Sequence, residues 1–125
     1  MLKNNNNFEH CFIELRTILK KYEEYLRVII DNNDNYCLNA GFDAKRKSDI
    51  YFGGVLINKN YVSYHLMPVY MNPKLLKIIS PDLKKRMQGK SCFNFKEIDQ
   101  KLFKELSNLT KAGFDFYKTN GLLSK

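Results

Sequence analysis

Two stretches, one near each end of the chain, repeat apolar side chains at steps of three and four. Phe8, Phe12, Leu15, Leu19, Tyr22, Leu26 and Ile29, widened by Cys11, Ile18 and Ile30, form the first stripe. Leu102, Leu106, Leu109, Gly113 and Phe116, flanked by Phe103, Ala112 and Tyr117, form the second. This spacing collects side chains on one face of an α-helix. It predicts a long helix over residues 8–30 capped by Asn7, and another capped by Asp99 and ended by Gly121.

Between the stripes the period changes to two. Tyr36 to Ala40, Ile50 to Ile57, Tyr61 to Met67 and Cys92 to Lys96 read as strands. Asp31-Asn32-Asn33-Asp34 supplies turn chemistry, residues 43–49 form a polar connector, and Asn58-Lys59-Asn60 offers asparagines that tolerate positive φ in a tight hairpin. Pro68 stops its strand, because proline removes a ladder donor. Asn72-Pro73 and Ser80-Pro81-Asp82 each set a cap before a proline, predicting short helices at about 73–79 and 81–88, the second closed by Gly89. This order yields no regular βαβ units. The expected fold is α+β: a largely antiparallel sheet with two long terminal helices packed on one face and short helices before the last strand.

The 125 residues suffice for one domain with its own core. The domain is expected over 8–121, between a flexible segment 1–7 and a tail 122–125. No apolar run approaches a membrane span and no leader-like segment opens the chain, so a cytoplasmic protein is expected. Cys11, Cys37 and Cys92 lack any CxxC spacing and read as free thiols, outside a disulfide framework or a Cys-rich zinc site. The net charge of +8 is uneven: residues 74–104 hold nine basic and three acidic side chains, whereas residues 1–34 hold five and six. The dense run Lys84, Lys85, Arg86 and Lys90 is a candidate anion site, with Tyr61, Tyr64 and Tyr70 as stacking surfaces for nucleic acid. A solvated charge run at the end of a short helix is the plainer alternative, and nucleic acid is not the favoured partner.

Gly89-Lys90-Ser91 repeats the closing letters of a phosphate-binding loop. Such a loop also needs a glycine five residues earlier and a helix after it, so that backbone N–H groups converge on phosphate. Lys84 occupies the first position and a strand-like run follows, so nucleotide binding by this loop is not expected.

Tyr61-Val62-Ser63-Tyr64-His65-Leu66-Met67-Pro68-Val69-Tyr70, Ser80-Pro81-Asp82-Leu83-Lys84-Lys85 and Gly89-Lys90-Ser91-Cys92-Phe93-Asn94-Phe95 together resemble the bacterial YdhG-like family. The likeness covers nearly all of residues 8–118. It implies a frataxin-like fold and, through one relative regarded as an iron chaperone, an iron role. It points to acids of the first helix and adjoining strand, because iron favours oxygen ligands. Here Glu23, Glu24 and Asp31 lead that set, with Glu9, Glu14 and Asp34 beside them. Lys20, Lys21 and Arg27 lie among these acids. The spacings Lys20–Glu24 and Glu23–Arg27 fit surface ion pairs, so a self-neutralised helix face is the competing reading.

Strand alternation supplies the last candidate. Val62, Leu66, Phe93 and Phe95 suit the helix-covered face, which turns Ser63, His65, Cys92 and Asn94 to the other. With Tyr61, Met67 and Tyr51 as apolar walls, these groups make a candidate ligand site. Ordinary polar surface or a dimer contact would use the same pattern. His65 and Cys92 also raise nucleophile-and-base chemistry or two metal ligands, but no orienting third group is visible and no catalytic residue is assigned. The expectation is a binding module for a small molecule or metal ion, iron included, as monomer or homodimer. A basic docking surface and a small enzyme are the alternatives.

Overall fold

The computed structural model describes residues 2–123, with side chains from Asn7 onward. In chain order the elements are α1 (Leu2–Lys20), a 3-10 turn (Glu23–Tyr25), β1 (Arg27–Asp31), β2 (Asn35–Asp43), β3 (Ser48–Ile57) and β4 (Val62–Leu66). There follow α2 (Met67–Met71), a 3-10 helix (Pro73–Ile78), α3 (Pro81–Lys84), β5 (Met87–Gln88), β6 (Cys92–Phe95) and α4 (Gln100–Thr119). The protein is α+β. Its six strands run in the order β1-β2-β3-β4-β6-β5, and every neighbouring pair is antiparallel.

The first helix departs from its stripe at both ends. It begins at Leu2, so Asn7 lies inside it and caps nothing, and of the segment 1–7 only Met1 falls outside the described residues. It ends at Lys20, and Arg27–Asp31, expected as helix over residues 27–30 and as turn at Asp31, is the edge strand β1. Val28, Ile29 and Ile30 explain the change. Three β-branched side chains in succession lose rotamer freedom in a helix and suit a pleated surface. The turn also favours pairing: Asn32 Oδ1 accepts from the backbone N–H of Asp34 (3.1 Å) and Asn35 (2.9 Å), aiming β2 back along β1.

Two turns also differ. Neither asparagine of the β3–β4 turn takes a positive φ, and Asn58 N–H closes it on Tyr61 O (2.8 Å). Lys47 in the β2–β3 turn has the positive value, 53°. The segment expected as helix 81–88 holds a single helical turn, after which Met87 pairs with Phe93 in a short hairpin. Gly89 (φ 77°) therefore sits in a strand-to-strand turn, not at a helix end. Lys90 and Ser91 share that turn, and no helix starts there. The caps stand as the spacing predicts: Asn72 accepts from Lys74 N–H, Ser80 from Leu83 N–H and Asp99 from Leu102 N–H.

The core joins Tyr36, Leu38, Phe52, Val55, Val62, Tyr64, Leu66, Phe93 and Phe95 of the sheet to the apolar faces of α1 and α4. Buried hydroxyls in it are satisfied, as they must be. Thr110 Oγ1 donates to Leu106 O (2.7 Å) and so accepts from Tyr64 (2.6 Å), and Tyr36 donates to Glu23 (2.5 Å). Gly113 lets α4 cross α2 closely, since a Cβ there would lie 2.8 Å from Pro68 Cβ. Leu122 and Leu123, expected in a free tail, pack against the core, and Gly41 N–H donates to Leu122 O (2.7 Å). Ser124 and Lys125 lie outside the described residues. Among the described residues no helix is long and apolar enough to cross a membrane.

Candidate functional site on the open sheet face

Pleating alternates side chains, so burial of Val55, Tyr64 and Phe93 on the helix side turns Gly54, His65 and Cys92 to the other. The register lines them up across five strands: Cys37 opposite Gly54, Gly54 opposite His65, His65 opposite Cys92, and Cys92 opposite Gln88 of β5. One step along, Ser63 faces Asn94. Most side chains on this face are half-buried, as expected of a surface that faces solvent at its rim.

A hydrogen-bonded chain connects the second row. Asn58 Nδ2 donates to Ser63 Oγ (2.9 Å), Ser63 Oγ donates to Asn94 Oδ1 (2.8 Å), and Asn94 Nδ2 donates to Gln88 Oε1 (2.7 Å). Ser63 is itself 2% exposed, so Asn94 is held from a buried side. Cys92 Sγ lies 3.4 Å from Asn94 Oδ1 and 3.6 Å from His65 Nε2. Ser63, His65, Cys92 and Asn94 are thus one contiguous group.

The walls are less uniform. Tyr51 reaches the group because Gly54 has no side chain: its hydroxyl lies 2.8 Å from the place a Gly54 Cβ would take. Tyr61 lies just outside β4 and lines a neighbouring cavity. Met67 opens α2, so the alternation that set it beside His65 ends at Leu66.

Burial leaves the titratable groups neutral. It pushes the His65 imidazole below its usual value and the Cys37 and Cys92 thiols above theirs, the Ser63 hydroxyl opposing the rise at Cys92. The Tyr51 phenol is raised by burial first and then by Cys37, Cys92 and Tyr117. A neutral thiol beside a neutral imidazole is not an activated thiolate.

The basic cluster divides. Lys85 and Arg86, with Lys96, Tyr61, Met87, Gln88 and Asn94, line a cavity of about 340 Å³ beside the polar row. Among the described residues none of these three cations forms an ion pair. Lys84 ends α3 away from that lining, and Lys90 lies over the Tyr70 ring, 5.8 Å from its centre. Lys96, Gln88, Asn58 and Cys37 join the site without having been singled out in the sequence. Lys96 and Cys37 obey the strand alternation that placed His65, whereas Gln88 required the β5 pairing that its sequence concealed.

The acidic candidates do not gather. Glu23 binds Tyr36 and Lys20 (3.4 Å), and Asp31 binds Arg16 (3.3 Å). Glu23 and Glu24 border a hollow shared with Lys20, Lys21 and Arg27, whose charges oppose a cation. The expected pairs Lys20–Glu24 and Glu23–Arg27 also fail, because the chain leaves the helix between them; Arg27 instead meets Asp49 (2.6 Å). Among the described residues no three His, Cys, Asp or Glu side chains converge as a metal set.

Fold and site together define an antiparallel α+β domain with a polar row on the less covered sheet face and cations at its edge. No protein-family model, curated protein or solved structure matches the chain.

Proposed function

We propose that this chain is a non-enzymatic binding module, of the YdhG-like type its motifs resemble, and that it takes a small anionic molecule where the polar row meets the β5–β6 hairpin. The observation that carries this reading is the 340 Å³ cavity lined by Lys85, Arg86 and Lys96, none of which forms an ion pair among the described residues, beside the amides of Asn94 and Gln88. Ammonium, guanidinium and amide donors suit a carboxylate or phosphate, and Tyr61 and Met87 offer apolar walls. The volume suits a metabolite-sized group.

A melting-temperature panel of small carboxylates and phosphate esters, run beside single-stranded DNA and RNA, tests it. A ligand specific to the native state at about one hundred times its Kd adds about 2.7 kcal/mol. Stabilisation by a small anion, lost in the Arg86→Ala/Lys96→Ala double variant and kept in Lys84→Ala, is expected. Binding restricted to nucleic acid, with a steep salt dependence, would replace this reading by a basic docking surface.

A further inference from the structure

We propose that Cys92 Sγ, His65 Nε2 and Asn94 Oδ1 form a site for a divalent d10 cation of the zinc class. The inference does not rest on the anion cavity, although Asn94 borders both. Its first ground is distance. Donors about 2.3 Å (sulfur) and 2.0 Å (nitrogen or oxygen) from a tetrahedral ion stand roughly 3.5 Å apart. Cys92 Sγ is 3.6 Å from His65 Nε2 and 3.4 Å from Asn94 Oδ1, so both measured edges fit one face of such a tetrahedron.

Its second ground is donor type. Thiolate and imidazole together favour zinc-class ions over calcium or magnesium, which prefer oxygen ligands. This separates the site from the acids of the 3-10 turn and β1. Its third ground is support around the donors. Asn94 is fixed by Ser63 and Gln88, Ser63 in turn by Asn58, and Tyr51 closes the side toward Cys37. Outer hydrogen bonds of this kind hold ligands in place and shape affinity. Cys92 and His65 are half-buried rather than sealed in the core, so an ion can approach them from solvent.

Uptake of the ion breaks the Cys92 S–H bond and forms a sulfur–metal bond, the proton passing to solvent. His65 joins through the Nε2 lone pair with its own proton on Nδ1. No electron transfer occurs. Cys37 lies on the same row but two strands further on, beyond His65 and Gly54. It serves as the internal control.

Cobalt(II) is the probe, added to the metal-free, reduced full chain. One equivalent should produce a thiolate-to-cobalt charge-transfer band that zinc displaces. Cys92→Ser should abolish the band, His65→Ala should weaken binding by about tenfold or more, and Cys37→Ser should leave it intact. Asn94→Asp, which exchanges an amide oxygen for a carboxylate at the same place, should tighten it. Should Cys92→Ser fail to fold, the unmodified protein still decides: zinc must shift the His65 Nε2 nitrogen resonance. No band, a band that survives Cys92→Ser or vanishes with Cys37→Ser, an unmoved His65 resonance, or no tightening in Asn94→Asp would each overturn the three-atom site.

Discussion

Cys11, in α1 on the covered side of the sheet, and His65, on the other face of β4, tie stability to pH from opposite sides. Cys11 is wholly buried among the α1 core residues, and burial, reinforced by the Glu14 charge, pushes its thiol from 9.0 up to about 12. Its neutral form favours the fold fully below pH 9, and that contribution fades as pH rises toward 12, because the unfolded chain loses its proton first. His65 behaves in reverse. Burial holds its imidazole below 6.5, so the contribution is present above that value and is lost as pH falls through it, where the unfolded chain binds the proton first. Denaturant titrations across pH should therefore show an alkaline loss reduced in Cys11→Ala and an acid loss reduced in His65→Gln. Thiol reagents at neutral pH should spare Cys11 in the native protein and modify it only after unfolding. At Tyr64, a phenylalanine removes a buried hydroxyl while Thr110 keeps its bond to Leu106 O. A loss of about 1 kcal/mol in chemical denaturation is expected.

Among the elements, β1 separates local from long-range control most sharply. The 3–4 stripe counted Leu26 and Ile29 as equal members of one helix face. In the structure Leu26 is 2% exposed and Ile29, at a bulge in the edge strand, is 48% exposed. Leu26→Ala should cost about 2–5 kcal/mol, and Ile29→Ser less than about 0.5 kcal/mol. Equal costs in equilibrium unfolding would contradict an edge strand at 27–31. The crossing of α4 over α2 depends on the missing side chain of Gly113, because the atom a Cβ would meet belongs to the rigid ring of Pro68. Gly113→Ala would gain helix propensity at an exposed site, yet here it should lower stability by about 1–3 kcal/mol through overpacking. A raised melting temperature would show that the helices can separate without loss.

At the scale of the whole molecule, the C-terminal leucines close the fold against β2. Ending the chain after Gly121 should remove the Gly41 to Leu122 bond and the apolar cover of Leu122 and Leu123, lowering the melting temperature by several degrees. An unchanged transition would make their packing incidental. The α4 stripe, the caps at Asn72, Ser80 and Asp99, the β3–β4 hairpin and the shared face of Ser63, His65, Cys92 and Asn94 were legible in the sequence. Each depends on residues within a few positions of one another, or on the strict alternation of a single strand. The end of α1, the β1 edge, the β5 hairpin and the separation of the acids were not. There apolar period, β-branching and charge spacing gave conflicting local signals, and pairing with distant strands settled them. The candidate site divides in the same way. Alternation put His65 and Cys92 on one face, but only the antiparallel register set them directly opposite each other, brought Asn94 to the same sulfur and placed Arg86 and Lys96 around one cavity. Register depends on which residues of two separate strands exchange hydrogen bonds, and no single stretch of chain encodes that choice.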